Sequence, residues 1–501
     1  MWKIHFETLY HSVSNNTCES YVKTSLQQID IESRDSGVNC DTVQSILNKL
    51  KSGKSCGPDG LPAENFKDAN KKLSVLLAMC YNSMLTHGHL PVDCIETTLV
   101  PIIKDKAGDI SDKSNYRPIA LATVCSKILE KCLLTKIEEY LYTCENQFGF
   151  KKNHGTDSCI FSLKQIVHYY KRLSSPLFIC YLDASKAFDK VNQWVLFKKL
   201  IDRKVPLFIV RLLVFWYRNQ TMNVKWGSAL SVSFTVHNGV KQGGILSPQF
   251  FCVYMDDLSV KLNSAGVGCH FAGLSYNHFS YADDMALVAP SPGGIQKLIK
   301  ICEEYALDHD IVYNSKKSMC MLVHSKRVKF TEIPVITLCG ETLKYKETVK
   351  YLGCMVSSDW CDDSDIDRQR RATVIRANSL MRKFYNCSEE VKLLLFNTFC
   401  SNMYCSHLWQ SYKKATLNKL KVTYHNALRK LFGLQWDCSA SNMFVSRHLT
   451  GFDALVRKYM AGFVNRLSTS QNPIMTTLVN SCWWHSPSSL GSHIANRLYS
   501  I

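Results

Sequence analysis

The stretch SPLFICYLDASKAFDKV, residues 175–191, changes character halfway along its length. Residues 176–183 form a continuous apolar run that ends in an acidic residue, which is typical of a buried β-strand. Asp183 is therefore expected at a strand end. Because a buried carboxylate without a partner is unfavourable, we expect Asp183 either to have a charged partner or to cap the helix that follows Asp189.

A second acidic signal, Tyr-x-Asp-Asp, occurs twice further along, at 254–257 and at 281–284. The first copy lies in GVKQGGILSPQFFCVYMDDL, where Ser247 and Pro248 indicate a helix start and apolar residues then recur at helical spacing. Successive residues of a helix point about 100° apart, so the carboxylates of Asp256 and Asp257 diverge. We interpret this pair as part of a solvated face.

The second copy lies in HFSYADDMALVA, between two short strand-like runs at 278–281 and 285–288. Asp283 and Asp284 fall in the tight turn, so this segment predicts a β-hairpin. A hairpin turn can present a carboxylate to a neighbouring strand end, where Asp183 is also expected. Carboxylates that converge at one sheet edge can hold two magnesium ions about 3.5–4 Å apart. A surface hairpin with ordinary acidic residues is the alternative.

The composition favours a polyanionic partner. The 501 residues include 60 Lys and Arg against 42 Asp and Glu, a formal net charge of +18, which points first to nucleic acid and second to an acidic membrane surface. The 22 cysteines form no C-x-x-C pair, so a zinc knuckle is unsupported. Cys400, Cys405 and His407 lie close in sequence and are expected to be core residues.

The sequence also predicts an intracellular protein, nuclear or cytoplasmic. The N-terminus MWKIHFETLY has no basic region followed by an apolar run, so we do not expect a signal peptide. The longest apolar stretch, residues 205–217, is too short to span a bilayer and contains Arg211. The thiols are therefore expected to be reduced.

Other segments give local predictions. Residues 1–45 are polar with little signal, whereas residues 43–50 have helical periodicity and lead into the turn-rich loop KSGKSCGPDGLPAENF. TTLVPII at 97–103 predicts a strand, and SKILEKCLLTKIEEYL predicts an amphipathic helix.

A later helix is predicted in ATLNKLKVTYHNALRKLFGL. One apolar stripe with spacings of three or four comprises Leu417, Leu420, Tyr424, Leu428 and Leu431, and Gly433 follows as the expected C-cap of the helix. The basic residues off that stripe are Lys419, Arg429 and Lys430. They form either a solvated face or a surface that grips nucleic-acid phosphates.

The order of motifs resembles the reverse transcriptases of non-LTR retrotransposons, the LINE-type elements. The matching segments, which cover roughly 53–354, are SCGPDGLPAE, LVPIIKDK, SNYRPIAL, SKILEK, QFGFKKNHGTDSCI, YLDASKAFDKV, GVKQGGILSP, FSYADD, YNSKKS and VKYLG. The segment HLWQSYKKATLNKLKVTYHNALRKLFGL is similar to the helical region that follows the palm of these enzymes.

The resemblance implies an α+β right-hand polymerase, with fingers and a palm that contains an antiparallel sheet, followed by an α-helical thumb. The expected divisions are an N-terminal extension at 1–45, fingers and the start of the palm at 46–178, the palm at 179–355, a helical thumb or connection at 356–435 and a C-terminal helical tail at 436–501. The implied activity is RNA-directed DNA polymerisation with two Mg²⁺ ions, or Mn²⁺. The implied partners are an RNA template, a DNA primer or target and dNTPs, and no membrane.

The resemblance also assigns the metal site. It implies that Asp183 and Asp283 bind the metals, that Asp284 is the third catalytic acid and that the Ala184 carbonyl completes the metal shell. The YADD copy is therefore expected to be the site, and the YMDD copy matches the helix that follows the QG-x-x-LSP motif.

Further roles come from the same resemblance, residue by residue. Phe188 matches the aromatic gate that disfavours a 2′-OH, with a plain core phenylalanine as the alternative. Gln242 and Gly243 match the motif that contacts the incoming nucleotide and the template. Arg117 is implied to contact the triphosphate, with Lys104 as a companion. Lys317 is implied to contact the leaving pyrophosphate, with Lys316 as a competitor for that role. The primer grip is implied for Tyr351, Leu352 and Gly353.

Two alternatives remain open from the sequence. One is a reverse transcriptase of the group II intron maturase type. The other is a catalytically retired relic that still binds nucleic acid, although the intact Asp183, Asp283 and Asp284 argue against it.

Overall fold

The computed structural model of the chain describes residues 1–11, 15–29, 37–324, 330–486 and 489–499. Helices and strands are both abundant, as the predicted α+β class requires. The strands are β1 Glu96–Ile103, β2 Tyr116–Ala122, β3 Leu177–Leu182, β4 Thr221–Trp226, β5 Ala229–Leu230, β6 Phe234–Thr235, β7 His270–Phe271, β8 Leu274–Ser275, β9 His278–Tyr281, β10 Asp284–Ala289, β11 Met319–Val323, β12 Thr337–Leu338, β13 Glu341–Thr342, β14 Lys344–Tyr345, β15 Thr348–Tyr351 and β16 Cys354–Ser357.

The helices follow the same chain order. They are α1 Trp2–Leu9, α2 Asn16–Gln27, α3 Cys40–Asn48, α4 Ala63–Lys67, α5 Lys72–His87, α6 Val92–Ile95, α7 Val124–Ile137, α8 Thr156–Arg172, α9 Ala187–Lys190, α10 Gln193–Asp202, α11 Leu207–Asn219, α12 Ser247–Asn263, α13 Pro292–Asp308, α14 Asp363–Lys383, α15 Glu389–Phe399, α16 Lys414–Leu431, α17 Ala440–Ser446, α18 Phe452–Ser468, α19 Pro473–Asn480 and α20 Leu490–Tyr499. The predicted helices near 43–50 and in SKILEKCLLTKIEEYL correspond to α3 and α7, and the predicted strand at 97–103 is β1.

The chain divides into two compact units, each built from several segments. The first unit comprises Met1–Cys144, Ala184–Lys261 and Ile301–Tyr313. The second unit comprises Glu145–Asp183, Leu262–Lys300 and Asn314–Ile501. The division into fingers, palm and thumb remains a prediction.

The first unit contains a sheet with the strand order β2-β1-β4-β5, and β6 also pairs with β4. Strand β1 is antiparallel to β2 and parallel to β4. Helix α1 covers one face of this sheet, because Phe6 and Leu9 share a buried apolar cluster with Leu99 and Met222. The N-terminal residues, which gave little signal in the sequence, therefore form part of this core.

The second unit contains a sheet with the strand order β14-β11-β3-β10-β9. Strand β3 lies at its centre, and all six of its residues are buried, which explains the uninterrupted apolar run before Asp183. The pairs formed by β3, β10, β9 and β11 are antiparallel. The edge strand β14 differs from the predicted antiparallel sheet, because it pairs with β11 in parallel over two residues.

The helical part of the second unit follows the predicted apolar stripe. Leu420, Tyr424, Leu428 and Leu431 on α16 are buried, and Leu417 packs partly buried against the same core. Gly433 has the left-handed φ of 65° that ends the helix, as predicted. Its conformation lets the Leu434 N–H reach the Arg429 carbonyl at 2.9 Å.

The remaining core predictions concern cysteine and apolar segments. Cys400, Cys405 and His407 are buried, and no metal-binding group of three or more His, Cys, Asp or Glu side chains occurs in the part of the chain that the structure describes. Residues 205–217 lie mostly in α11, which buries Leu212, Leu213 and Trp216 in the first unit. Among the described residues, no helix has both the length and the apolar character needed to cross a membrane.

Candidate active site

The predicted strand end and hairpin meet in the second unit. Strand β3 ends at Leu182, which lies opposite Met285 in the antiparallel pair of β3 and β10. Asp183 follows directly after β3, and Asp284 is the first residue of β10. The β9–β10 hairpin places Asp283 in its turn. The pairing therefore brings all three acidic residues to one end of two adjacent strands.

Asp183 is held through its backbone by the segment that precedes β11. Its N–H donates to the Ser318 hydroxyl at 3.0 Å, and its carbonyl accepts from the Asn314 N–H at 2.8 Å. The alternative role of Asp183 as a helix cap is wrong, because the Asn192 side chain caps α10 and α9 has no side-chain cap. Asp183 is half-buried and does not cap a helix.

The same segment carries the two lysines expected near pyrophosphate. The Asn314 side chain accepts from the backbone N–H groups of Lys316 and Lys317, both at 3.1 Å. Both lysine side chains are exposed. Since Asn314 also bonds to the Asp183 carbonyl, this turn fixes the backbone of the lysines relative to that of Asp183.

The hairpin turn is clamped by Gln147, a buried residue to which the sequence assigned no role. The Gln147 side-chain oxygen accepts from the N–H of Ala282 at 3.0 Å and from the N–H of Gly149 at 2.8 Å. Ala282 has a φ of 59°, which the turn requires. A Cβ at Gly149 would lie 2.4 Å from the Ala282 nitrogen, so only glycine allows this close approach.

The donor set is compatible with Mg²⁺, which prefers carboxylate oxygens. Asp183 is half-buried, while Asp283 and Asp284 are exposed, so the end of the strands is open to water and substrate. The described side chains do not form a preassembled cluster of three ligands. Mg²⁺ usually binds through only one or two carboxylates together with substrate phosphates, so these residues fit such a site.

The YMDD copy lies on α12, as predicted, but the solvated interpretation is wrong for Asp256. Asp256 is 6% exposed, pairs with the Arg203 guanidinium at 2.6 Å and accepts from the Cys144 N–H at 2.6 Å. Asp257 is exposed and pairs with Lys199. The two carboxylates therefore diverge to different cations, as their helical spacing predicts, and the helix buries one of them.

Gln242 of the first unit lies against a buried acid. Its side-chain nitrogen donates to Asp189 Oδ1 at 2.7 Å, and the Tyr10 hydroxyl donates to the same oxygen at 3.2 Å. Desolvation raises the pKa of Asp189 to about 6, although the hydrogen bonds from Gln242 and Tyr10 oppose this rise. Asp189 is therefore mostly ionised at neutral pH.

The loop around Gln242 is tightly fitted to its surroundings. The Gln242 carbonyl accepts from the Ala120 N–H at 2.8 Å. Gly243 has a φ of 123°, and a Cβ there would lie 2.7 Å from the Ala120 carbonyl oxygen. The buried Glu130 carboxylate accepts from the Ile245 N–H. The backbone of this loop is thus fixed from two sides.

Phe188 and Ala184 also lie in the first unit. The Phe188 ring stacks on Phe251, with centroids 4.4 Å apart and planes 12° apart, and it remains partly exposed. This placement allows both the gate and the core interpretation. Ala184 forms an isolated antiparallel bridge with Tyr313, and the Ser185 N–H donates to the Val312 carbonyl at 2.8 Å.

The two basic residues expected on the triphosphate lie on the β1–β2 hairpin. Arg117 is exposed opposite Ile102, and Lys104 is exposed just beyond β1. Because alternate residues of a strand share a face, Arg117 and Lys104 lie on the same side of the hairpin. The Lys104 ammonium also donates to the Ser114 carbonyl at 3.3 Å.

The expected primer grip is the turn between β15 and β16. Tyr351 is buried, and its hydroxyl donates to the Phe279 carbonyl at 3.2 Å, so this side chain supports β9. Leu352 and Gly353 form the turn with φ values of 44° and 83°. The Tyr404 hydroxyl holds the turn by donating to the Leu352 carbonyl at 2.7 Å.

The basic residues of α16 differ in their contacts. Lys419 and Lys430 are exposed, and Arg429 is half-buried. Arg429 donates to the Cys438 carbonyl at 2.9 Å and to the Asn426 side chain at 2.7 Å. A role for the three residues in binding phosphates remains a prediction.

Sequence reasoning missed three residues that support these positions: Tyr10, Gln147 and Asp189. Gln147 and Asp189 belong to the quoted segments QFGFKKNHGTDSCI and YLDASKAFDKV. A motif shows that a polar residue is present, but it does not predict the hydrogen-bond partner of that residue. Tyr10 follows a short helix in a segment with little periodicity. Its contact with Asp189 spans 179 residues and has no local signal.

Comparison with known proteins agrees with the motif order. A family model described as "Reverse transcriptase (RNA-dependent DNA polymerase)" matches residues 103–356, just over half of the chain. A protein of Drosophila funebris named "RNA-directed DNA polymerase from mobile element jockey" is 23% identical over 463 residues, which are 88% of this chain and 49% of that protein.

Two further relatives show the same range of similarity. The "Probable RNA-directed DNA polymerase from transposon X-element" of Drosophila melanogaster is 23% identical over 467 residues, 88% of this chain and 49% of that protein. The "Retrovirus-related Pol polyprotein from type-1 retrotransposable element R2" of Nasonia vitripennis is 24% identical over 311 residues, 61% of this chain and 30% of that protein. The chain spans about half the length of the jockey and X-element relatives.

Proposed function

This chain belongs to the reverse transcriptase family, and from that premise we propose that it copies an RNA template into DNA as the polymerase part of a non-LTR retrotransposon protein. The observation that carries the proposal is the pairing of β3 with β10, which brings Asp183 beside the Asp283–Asp284 hairpin. The relatives named as RNA-directed DNA polymerases support the same activity.

The proposed reaction is nucleotidyl transfer. The primer 3′-OH oxygen attacks the α-phosphorus of a dNTP and loses its proton to water, while the bond from the α-phosphorus to the oxygen that bridges it to the β-phosphate breaks and pyrophosphate leaves. Two Mg²⁺ ions held by Asp183, Asp283 and the Ala184 carbonyl, with Asp284 alongside, would supply charge stabilisation for the hydroxyl and the phosphates. Mn²⁺ offers the same type of oxygen coordination.

The protein side chains bind and orient the substrates in this proposal. Lys317, with Lys316 as its competitor, neutralises the leaving pyrophosphate, because both are exposed on the turn bonded to the Asp183 backbone. Arg117 and Lys104 bind the triphosphate through charge-assisted hydrogen bonds from one side of the β1–β2 hairpin.

Selection of the nucleotide and support of the primer fall to uncharged residues. Phe188 limits space at the sugar, and its stacking on Phe251 would hold the ring in place. Gln242 and Gly243 contact the incoming nucleotide and template. The turn at Leu352 and Gly353 supports the primer, while the buried Tyr351 holds that turn against β9.

The net charge of +18 fits an enzyme that holds a template–primer duplex mainly through phosphates. Lys419 and Lys430 on α16 are exposed and could contribute to this grip in a helical thumb. Phosphate contacts carry no base information, so binding should weaken with salt about equally for all sequences.

Primer extension on an RNA template with the purified chain, dNTPs and Mg²⁺ tests the proposal. We expect template-dependent DNA products that require the divalent metal. Salt-sensitive binding of the same template–primer without any extension, in Mg²⁺ or Mn²⁺, would contradict the proposed activity and identify a nucleic-acid-binding relic. A DNA template of the same sequence shows whether the activity depends on RNA.

A further inference from the structure

Two hydrogen bonds connect the N-terminal segment to Gln242 through one carboxylate oxygen. Asp189 Oδ1 accepts from the Gln242 side-chain nitrogen at 2.7 Å and from the Tyr10 hydroxyl at 3.2 Å. Asp189 is 2% exposed, so water cannot easily replace either donor. Tyr10, Asp189 and Gln242 therefore form one hydrogen-bonded chain within the first unit, here called the relay, in which Tyr10 and Asp189 are buried.

The relay determines which end of the Gln242 amide faces away from Asp189. A carboxylate only accepts hydrogen bonds, so it selects the amide nitrogen and directs the side-chain oxygen of Gln242 elsewhere. The terminal torsion of glutamine is otherwise broad and roughly two-fold, so either end of an unrestrained amide can face a given direction. Asp189 removes that choice.

Both ends of the relay are fixed by the fold. Tyr10 is buried beside Phe6 and Leu9 of α1, and its carbonyl accepts from the His237 N–H at 3.3 Å. The Gln242 backbone accepts from the Ala120 N–H at 2.8 Å. The backbones at both ends are therefore held in place, and the hydrogen bond to Asp189 sets the direction of the Gln242 side chain.

The acid itself is closely surrounded. The Asp189 N–H donates to the Lys186 carbonyl at 2.9 Å, and a Cβ at Gly239 would lie 2.8 Å from the Asp189 carbonyl oxygen. A buried ionised carboxylate needs hydrogen-bond donors, and Tyr10 and Gln242 supply them. Tyr10 retains its proton, because desolvation raises the pKa of its hydroxyl well above the ordinary value.

We propose that Tyr10 and Asp189 are positioning residues that hold the Gln242 amide in the orientation needed to select the incoming nucleotide. The inference rests on the proposed function, because it assigns the N-terminal segment a part in nucleotide selection during that reaction. Neither residue is proposed to touch the nucleotide. Their effect passes through Gln242.

Tyr10→Phe is the sharpest variant, because it removes one hydroxyl and keeps the ring that packs in the core. Tyr81→Phe is the matched control: Tyr81 is also buried in the first unit and also loses one hydrogen bond, in that case to the Cys125 carbonyl at 2.9 Å. Single-nucleotide addition on an RNA template would be measured for both variants, with KM for the correct dNTP, kcat and the rate of misinsertion.

We expect Tyr10→Phe to raise KM for the correct dNTP by about fivefold and to increase misinsertion, with kcat changed less than about twofold, because one hydrogen bond to a charged group is lost. Tyr81→Phe should lower the melting temperature to a similar extent and leave KM unchanged. Asp189→Asn supplies an amide nitrogen that can donate to the Gln242 side-chain oxygen, so it restores the choice between the two amide orientations and should lose part of the selectivity, whereas Asp189→Ala, which removes both hydrogen bonds, should lose more.

A double variant separates positioning from general stability. In a Gln242→Ala background, Tyr10→Phe should cause no further rise in KM, because the group it positions is absent. An active wild-type enzyme with equal KM and misinsertion in Tyr10→Phe, or additive effects in the double variant, would overturn the inference while the proposed function stands. A wild-type chain that binds template–primer but extends nothing would instead refute the proposed function.

Discussion

Leu182 and Met285 lie directly opposite each other in the antiparallel pair of β3 and β10. Asp183 follows Leu182, and Asp284 precedes Met285. Side chains alternate between the faces of a strand, so Asp183 and Asp284 lie on the face opposite to that of Leu182 and Met285. A shift of one residue in this register would exchange the two faces, so the position of the acids depends on the packing of the apolar residues behind them.

The Gln147 clamp predicts an effect on activity beyond its effect on stability. Gln147→Ala removes the acceptor shared by the N–H groups of Ala282 and Gly149, and should lower the free energy of unfolding by about 1–3 kcal/mol. Because the Asp283 turn loses its support, extension at a temperature where the variant is folded should fall by about tenfold or more.

Gln296→Ala is the control for this change. Gln296 also makes two side-chain hydrogen bonds to the backbone, in this case both to Thr337, whose N–H donates to it at 2.9 Å and whose carbonyl accepts from it at 3.0 Å. We expect a similar loss of stability, measured by chemical denaturation, with nearly unchanged extension. Equal losses of extension in the two variants would show that Gln147 contributes only to folding.

The two aspartates of the YMDD copy should differ in their contribution to stability. Asp256→Asn leaves the buried Arg203 guanidinium without its anionic partner and should lower the free energy of unfolding by about 3 kcal/mol. Asp257 is itself exposed but its partner Lys199 is buried, so Asp257→Asn should lower the free energy of unfolding less than Asp256→Asn does, by about 1–2 kcal/mol, because the Lys199 ammonium keeps its hydrogen bond to the Tyr305 hydroxyl at 3.2 Å. Urea denaturation of both variants measures the difference, and equal values would contradict the burial of Asp256.

The turn expected at the primer can be tested with two glycines that have similar backbone conformations. Gly353 has a φ of 83°, and a Cβ there would lie 3.1 Å from the Tyr404 ring; Gly340 has a φ of 78° with nothing within 4 Å. Both alanine variants have strained backbones, costing about 1 kcal/mol. Only Gly353→Ala should also displace Tyr404 and shorten the products of primer extension. Equally short products from Gly340→Ala would contradict the proposed contact between the Leu352–Gly353 turn and the primer.

The raised pKa of Asp189 predicts a pH dependence of stability. As the pH rises from 4 to 6, the unfolded chain loses the Asp189 proton while the folded chain retains it, so the stability contributed by the protonated acid is lost. One pKa unit is about 1.4 kcal/mol, so the rise in pKa from 3.8 to about 6 corresponds to a total loss of roughly 3 kcal/mol, of which roughly 2.5 kcal/mol falls between pH 4 and 7.

Asp189→Asn provides the comparison, since it cannot ionise. Its free energy of unfolding, relative to that of the wild type, should increase by roughly 2.5 kcal/mol as the pH rises from 4 to 7. The difference between the two proteins removes the contribution of groups that titrate equally in both. A difference that stays constant with pH would contradict a raised pKa for Asp189.

Local patterns in the sequence were sufficient for the elements that carry the acidic residues. The apolar run before Asp183, the Ser-Pro helix start at 247–248 and the hairpin around Asp283 all report on neighbouring residues, and each element is present. The order of the motifs identified the reverse transcriptase family, and the family model that matches residues 103–356 agrees with it.

The three missed residues and the wrong interpretation of Asp256 share a physical origin, because each involves a partner distant in sequence. Asp256 can be buried because Arg203 neutralises its charge. The two residues are 53 apart in sequence, so helical periodicity cannot predict their pairing. Gln147 meets Ala282 across 135 residues, and Tyr10 meets Asp189 across 179. These contacts depend on the fold of each unit and have no signature in a local pattern.

Primer extension with the same substitution in the two Tyr-x-Asp-Asp copies distinguishes the proposed metal site from its sequence duplicate. Asp283→Asn removes a carboxylate proposed to hold Mg²⁺, whereas Asp257→Asn removes an exposed carboxylate of α12 that is paired with Lys199. We expect Asp283→Asn to reduce the rate of single-nucleotide addition at least about a hundredfold, with template–primer binding nearly unchanged, and Asp257→Asn to retain nearly the wild-type rate. Loss of extension in Asp257→Asn with wild-type extension in Asp283→Asn would contradict the assignment of the site to the β9–β10 hairpin.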